Sequence, residues 1–204
     1  VLVSPAFPSK GNPTYIFVQQ LVFALVNQGV EVIVVAAQSL THIMFRGGKV
    51  LPKLSNDKTN EGNSFKVYRP YDFSFGNRLR FFTKLTNWIF KSQLKTIIQQ
   101  EKPDILYGHF WHTAYRLKDY ALKYNLPLFV ACGEGDNALE DLVERISPQN
   151  KKALVDAVKG VISVSAENKR KCINFGLAKS QDIVVLPNCV DDTLFHPSDG
   201  VALR

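Results

Sequence analysis

The chain has few cysteines, a single methionine and no long apolar run, and these shortages exclude several classes of protein. Its three cysteines form no CxxC pair and no regular spacing, so we expect neither a disulfide framework nor a structural zinc site. No stretch approaches the roughly 18 uncharged apolar residues of a membrane-spanning helix, and no basic-then-apolar signal opens the sequence. These features favour a reducing cytoplasm. The first residue is Val1 rather than methionine, which leaves a preceding segment open.

Disordered and collagen-like chains are excluded by the composition. Of the 204 residues, 46% are hydrophobic and 11% aromatic against 21% charged, enough apolar material for a packed core. The net charge of +7 suits an anionic partner such as nucleotide phosphates or a bilayer surface, or simply a solvated basic face. Because the basic residues are spread out and accompany no recognised motif, we expect no nucleic-acid partner.

Short apolar runs alternate with longer helical patterns, which is typical of an α/β fold. The runs rich in Val, Ile, Leu and Phe predict strands at residues 1–4, 30–36, 65–69, 105–109, 128–131, 161–165 and 183–186. The patterns between them predict helices at residues 14–28, 77–100, 113–125, 137–145, 148–159 and 166–175. Strands apolar on both faces belong in a covered parallel sheet. We therefore predict a doubly wound, Rossmann-like sheet with helices on both faces.

The first helix is apolar on all sides. Thr14 is placed to cap it and Gly29 to end it, and we expect Ile16, Phe17, Leu21, Phe23, Ala24 and Leu25 to be largely buried. The segment 38–64 lacks clear periodicity and predicts a long irregular excursion.

The helix at residues 77–100 combines an apolar stripe with interleaved basic residues, namely Arg78, Arg80, Lys84, Lys91 and Lys95. A basic amphipathic helix is able to lie on an anionic bilayer. The same stripe is what a helix covering a sheet needs, and we favour that interpretation.

Ligands of such sheets bind beyond the carboxyl ends of the strands. The first exit loop carries Gly11 and Asn12 just before a helix N-terminus, which favours phosphate or carboxylate oxygens or forms a plain turn. No GxGxxG, P-loop or GxSxG motif is present, which argues against dehydrogenases, P-loop NTPases and α/β hydrolases.

Titratable groups follow two further strands. His109 and His112 stand in the fourth exit, where one or both could carry a proton or donate to an anionic oxygen; a backbone-bonded structural histidine describes His112 better. Glu134 and Asp136 follow the fifth strand, each directly after a glycine, and are able to accept from sugar hydroxyls or act as a base, although Asp136 equally suits a helix N-cap. The next exits offer only small groups such as Ser165 and Asn188.

Several segments, taken in order, resemble a known family. They are the Pro-rich glycine loop before an apolar helix, Asn-Gln-Gly-Val-Glu-Val, Pro-Asp-Ile-Leu-Tyr-Gly-His, Gly-Val-Ile-Ser-Val-Ser and Leu-Pro-Asn-Cys-Val-Asp-Asp-Thr-Leu-Phe-His-Pro. Together they look like the N-terminal half of a family 4 glycosyltransferase, one half of the two-domain GT-B fold. The resemblance implies a Rossmann-like domain over residues 1–190, the start of an interdomain linker over 191–204, and a C-terminal donor-binding domain outside this chain. The 204 residues alone are then expected to be folded but inactive.

The resemblance also suggests roles for individual residues. Gly11 and Asn12 stand where the family has a glycine pair at the donor phosphates, and His109 matches the histidine that closes the fourth strand. Ser165 and Asn188 match the family's Val-Ser turn and linker asparagine. Where many members have His-Gly after the fifth strand this chain has Gly133-Glu134, so that histidine's role would pass to Glu134. The linker motif also departs, with Cys189 in place of a glycine.

The implied reaction moves a sugar from a nucleotide-diphosphate donor to a hydroxyl of a glycan or lipid-linked acceptor, with retention and without a cofactor or metal. His109 and Glu134 are then the candidate catalytic residues, and Gly11, Asn12, Asp136, Ser165 and Asn188 the candidate binding residues. Cell-surface polysaccharide synthesis and peripheral contact with the inner face of the membrane are the expected context. A non-catalytic α/β binding module and a GT-B-like sugar-nucleotide epimerase stay open as alternatives.

Overall fold

The computed structural model describes residues 1–9, 12–47, 49–73, 80–135 and 137–188, without the side chains of residues 46 and 80–87. The strands are β1 (Leu2–Ser4), β2 (Ile33–Ala36), β3 (Gln38–Ser39), β4 (Leu54–Lys58), β5 (Ser64–Tyr68), β6 (Tyr71–Asp72), β7 (Leu106–His109), β8 (Leu128–Cys132), β9 (Val158–Ser163) and β10 (Ile183–Val185). The helices are α1 (Ile16–Asn27), α2 (Leu40–Arg46), α3 (Arg80–Glu101), α4 (Trp111–Tyr124), α5 (Ala138–Arg145), α6 (Pro148–Ala157) and α7 (Ala166–Asn174).

The main sheet has eight strands in the order β10-β9-β8-β7-β1-β2-β5-β4, and all neighbours are parallel except β4 and β5. The chain leaves β1, forms α1 and returns as β2 beside β1, with Val3 opposite Val35. It later places β7 on the other side of β1. This change of direction brings the ends of β1 and β7 together at one sheet edge. The predicted doubly wound α/β fold is confirmed.

The core lies on both faces of the sheet because side chains alternate along each strand. Leu2 and Val34 pack on one face among the buried residues of α1, which are Val18, Val22 and Val26. Val3 and Val35 pack on the other face with buried side chains of α3 and α4. Two covered faces explain why these strands are apolar throughout.

The structure corrects two expectations for α1. Tyr15 occupies the N-cap with left-handed backbone and no side-chain cap bond, so Thr14 does not cap the helix. Ile16 and Phe17 are 50% and 41% exposed, because only the face with valines at four-residue spacing meets the sheet. Ala24 is exposed as well, and Leu21, Phe23 and Leu25 are half-buried. An all-apolar helix therefore leaves apolar side chains at the surface.

The segment 38–64 is also more ordered than its sequence predicts. It contains α2, and β4 pairs antiparallel with β5 through a turn in which Thr59 donates its backbone N–H to the Asn63 carbonyl at 2.9 Å. The strand β4 reads Leu-Ser-Asn-Asp-Lys and lies at the sheet edge. An edge strand buries few side chains, so its sequence is polar and lacks the apolar pattern from which strands are predicted.

The helix α3 covers the sheet, as expected. Phe90, Leu94, Ile97 and Ile98 are buried in the core, whereas Trp88 is 66% exposed. Arg78 lies outside the described residues. Among the described helices, none has the length and apolar content needed to cross a bilayer.

Candidate active site

The imidazole of His109 lies at the end of β7, at the sheet edge where ligands are expected. His109 is only 8% exposed, and this burial lowers the pKa of its imidazole from 6.5 to about 4. Its Nδ1 atom has no hydrogen-bond partner within the described part of the chain. A neutral imidazole is able to donate a hydrogen bond through one ring nitrogen and accept one through the other, which suits contact with a hydroxyl better than permanent charge stabilisation.

Aromatic rings account for this burial. The ring centroids of Phe110, Phe17 and Tyr107 lie 4.6, 5.4 and 6.3 Å from that of His109. Phe17 is the outer member, since 41% of it remains exposed. The histidine is thus separated from water mainly by side chains of α1 and of its own turn.

Two non-glycine residues with positive φ meet beside His109. Tyr15 has φ 65° before α1 and Phe110 has φ 81° before α4, and their ring centroids are 6.1 Å apart. Such backbone costs about 1–3 kcal/mol per residue and persists where surrounding contacts hold it. The exits of β1 and β7 therefore hold each other in strained geometry around the histidine.

Glu134 follows β8 and is 8% exposed. Its carboxylate accepts the backbone N–H of Trp111 through Oε1, and that of Gly133 through Oε2 at 3.1 Å. Burial raises the pKa of Glu134, and these bonds offset part of the rise. The carboxylate is placed at the positive end of α4, where negative charge is favourable. The observed contacts of Glu134 therefore hold the turn that follows His109.

The close packing of α4 against β7 depends on the absence of a side chain at Gly108. A Cβ atom at this position would lie 2.7 Å from the backbone nitrogen of Ala114. The hydroxyl of Thr113 donates to the His109 carbonyl at 2.7 Å, with the Phe110 carbonyl also at 2.7 Å. Close packing and hydrogen bonds together fix the backbone that presents the imidazole.

The structure places three of the predicted binding residues in separate turns. The side chain of Asn12 is occupied locally, since its Oδ1 accepts the N–H of Thr14 at 3.1 Å. Ser165 caps α7 by accepting the N–H of Asn168 at 3.1 Å. Asn188 is exposed beyond β10. Gly11 and Asp136 lie outside the described residues.

The fold thus joins some predicted residues and leaves others apart. His109 and Glu134 meet at the start of α4, and Tyr15 links that turn to the loop before α1. His112 is exposed as a whole residue, and partial desolvation of its ring, together with the positive charges of Arg116 and Arg145, lowers its pKa. Sequence patterns give His109 and Glu134 through their strand exits, but they do not give Tyr15, Phe17 or Phe110, because long-range ring contacts carry no local signal.

The parallel sheet with its polar edge defines a Rossmann-like domain of the GT-B type. Among solved structures with this fold, one of sucrose-phosphate synthase from Thermosynechococcus elongatus matches with TM-score 0.62 and 14% identity, covering 94% of this chain and 88% of its own. A second structure of that enzyme gives 0.64 and 13%, covering 98% and 50%. HepE from Anabaena, solved in complex with UDP, gives 0.53 and 13%, covering 100% and 48%. The chain therefore spans about half the length of the last two.

No curated protein matches the sequence. A family model described as Glycosyltransferase Family 4 matches residues 16–194. The chain belongs to glycosyltransferase family 4, and the expected resemblance is confirmed. Family membership places it among the transferases.

Proposed function

We propose that this chain is the acceptor-side half of an enzyme that transfers a sugar from a nucleotide-diphosphate donor to an acceptor hydroxyl. The observation that carries the proposal is the buried, neutral imidazole of His109 at the end of β7, on the sheet edge where ligands of such folds bind. Family membership supports the reaction class. The UDP bound in the HepE structure is consistent with a nucleotide-sugar donor here.

In this proposal His109 makes a hydrogen bond to the reacting hydroxyl or to the sugar being transferred. Glu134 supports it by holding the amide of Trp111, and so the turn that carries the imidazole. As the family resemblance implies, the proposal assigns Gly11 and Asn12 to the donor phosphates and Asp136, Ser165 and Asn188 to further polar contacts with the substrates. Backbone N–H groups stabilise the departing diphosphate without a resident metal or cofactor. The product keeps the anomeric configuration of the donor.

The test uses the natural full-length product, with release of nucleoside diphosphate measured from a panel of sugar nucleotides with and without candidate acceptors. We expect acceptor-dependent release that falls by roughly a hundredfold in His109→Ala. The matched control is His112→Ala, which removes an exposed histidine three residues further along. Donor hydrolysis or isomerisation without an acceptor favours an epimerase, and no turnover with any donor favours a binding module.

We further propose that the enzyme works at the cytoplasmic face of a membrane on a lipid-linked or glycan acceptor of polysaccharide synthesis. Large apolar side chains are exposed where α2 and α3 flank β6, since Met44, Phe45 and Trp88 are 71%, 76% and 66% exposed. Lys49, Lys53 and Lys95 are exposed nearby in the sequence, and the net charge is +7. Apolar side chains together with lysines match an anionic bilayer surface.

Co-sedimentation at low salt with phosphatidylglycerol vesicles tests this contact. We expect binding that weakens with salt and in the pair Met44→Ser with Phe45→Ser. Val184→Ser is the control, because Val184 is 64% exposed but lies on β10. Absence of binding at any salt concentration removes the membrane proposal and leaves the transfer reaction untouched.

A further inference from the structure

An open groove of about 650 Å³ lies beside α1, bounded by the loop before that helix and by the β4–β5 hairpin. The first turn of α1 separates it from the candidate catalytic residue. Phe17 contacts His109, whereas the preceding Ile16 lines the groove. The groove is therefore a second surface, next to the proposed active site, and its volume falls in the range of small-molecule sites.

The groove presents hydrogen-bonding groups of both kinds. Asp57 supplies a carboxylate and Gln19 supplies an amide. The side chain of Gln19 makes no hydrogen bond within the chain as far as the structure describes it. Groups that both donate and accept match sugar hydroxyls, which also do both.

The carboxylate of Asp57 is held in place yet remains accessible. Its Oδ2 lies 3.5 Å from Nη2 of Arg69, and Nη1 of the same guanidinium donates to Ser55 Oγ at 2.6 Å. The side chain of Arg69 is 7% exposed, whereas that of Asp57 is 33% exposed. An oriented acceptor of this kind loses little side-chain entropy when a ligand binds.

The other residues that line the groove favour a sugar over a nucleotide base or a phosphate as the ligand. Ile16 is 50% exposed and stands near Pro13, which gives an apolar wall for the C–H face of a sugar ring. Phe65 is the aromatic residue among the described lining residues, and it is 4% exposed, so none of these residues offers a ring that is free to stack on a nucleotide base. The carboxylate of Asp57 would repel a phosphate group in the groove.

We propose that this groove binds sugar units of a glycan acceptor that lie outside the reacting centre. The inference rests on the proposed function in taking the ligand to be the acceptor. An extended glycan would run from the His109 edge across the first turn of α1 into the groove, so its remote units would contribute binding energy that positions the reacting hydroxyl.

The experiment measures saccharide binding to the full chain by calorimetry, with no donor present. The probes are maltotriose, cellotriose and tri-N-acetylchitotriose, each titrated to about 20 mM. We expect at least one to bind with a dissociation constant in the millimolar range. Gln19→Ala then weakens binding roughly fivefold and Asp57→Asn roughly tenfold, since each removes a hydrogen bond to the ligand.

The matched control is Gln20→Ala, which removes the same side chain from the next, exposed position of α1, outside the groove. This variant should bind as the wild type does. The proposal is overturned if none of the probes binds, or if Gln19→Ala and Asp57→Asn bind as tightly as Gln20→Ala. The binding assay needs no turnover, so its outcome is independent of the transfer assay. A negative binding result would not affect the His109→Ala transfer test, and a negative transfer result would not affect the interpretation of the binding data.

Discussion

The carboxylate of Glu134 accepts the backbone N–H of Trp111, so the end of β8 is bonded to the first residue of α4. Trp111 follows Phe110, which has φ 81°, and Phe110 follows His109. An acidic side chain from one strand exit thus holds the strained turn of the neighbouring exit. This relationship connects the two candidate catalytic residues through the backbone.

Replacing Glu134 with glutamine should change how stability depends on pH. Burial raises the pKa of this carboxyl above the ordinary value of 4.5. The unfolded chain therefore releases the proton at lower pH than the folded protein, and the free energy of unfolding falls as pH rises from 4.5 through the folded pKa. The Glu134→Gln variant has no carboxyl group to titrate at this position, so its free energy of unfolding does not show this fall. Its amide also loses one backbone hydrogen bond, which costs about 1 kcal/mol at low pH.

Urea denaturation across about pH 4 to 8 measures the difference. The difference in the free energy of unfolding between the wild type and Glu134→Gln should become smaller as pH rises. Glu140→Gln is the control, since Glu140 is exposed in the first turn of α5. A gap that widens with pH would show that the hydrogen bonds to the carboxylate outweigh its burial.

His109 should make the protein sensitive to acid. Its pKa is lowered from 6.5 to about 4, so between these values the unfolded chain binds a proton that the folded protein does not. The free energy of unfolding therefore falls as pH drops through this window, by up to about 3 kcal/mol. Thermal unfolding of wild type and His109→Gln at matched pH values tests this. The variant should lose less stability on acidification, and equal acid losses would contradict the buried neutral imidazole.

The sequence predicts the sheet well because its central strands are buried on both faces. Each predicted strand is found, including β7 and β8, whose exits carry His109 and Glu134. The edge strand β4 escapes prediction because its residues are polar and mostly solvated. The exposure of Phe17 escapes it too, since an apolar residue on an apolar helix gives no sign of which face meets the sheet.

The site is predictable only in part, for a related reason. Strand ends are local features, so the polar residues after them are found from the sequence. The contact of Tyr15 with Phe110 joins residues far apart in the chain and depends on positive φ at both. Likewise the buried free thiols of Cys132 and Cys172, whose sulfur atoms are 3.3 Å apart, have no regular spacing in the sequence.

Gly108→Ala should destabilise the domain. The added methyl group would meet the backbone nitrogen and Cα of Ala114 at 2.7 and 2.8 Å, and backbone in a helix does not move aside cheaply. We expect a loss of about 1–3 kcal/mol in the free energy of unfolding. Gly135→Ala is the control, because a Cβ there meets no atom within 4 Å among the described residues. Equal stability of the two variants in urea would show that α4 shifts freely on β7.

Lys102→Gly should have the opposite effect. Lys102 follows the last residue of α3 with φ 45°, a left-handed conformation that glycine adopts readily, and its side chain is exposed. We expect a gain of roughly 0.5–1 kcal/mol. Lys95→Gly, at an exposed position inside α3, should instead lose about 1 kcal/mol. Thermal unfolding should show that Lys102→Gly is more stable than the wild type and Lys95→Gly less stable. A loss of stability in both variants would contradict the left-handed conformation of Lys102.

Phe17→Ala should raise the pKa of His109 towards 6.5. The ring of Phe17 is 5.4 Å from the imidazole and is itself 41% exposed, so its removal admits water to one face of the histidine. Water stabilises the protonated form, and the shift is then upward from about 4. The titration is followed by the NMR signals of the imidazole. Ile16→Ala removes a neighbouring apolar side chain, 50% exposed, that lines the groove beside α1, so it should leave the pKa of His109 unchanged. An unchanged pKa in Phe17→Ala would assign the desolvation to Phe110 and Tyr107 alone.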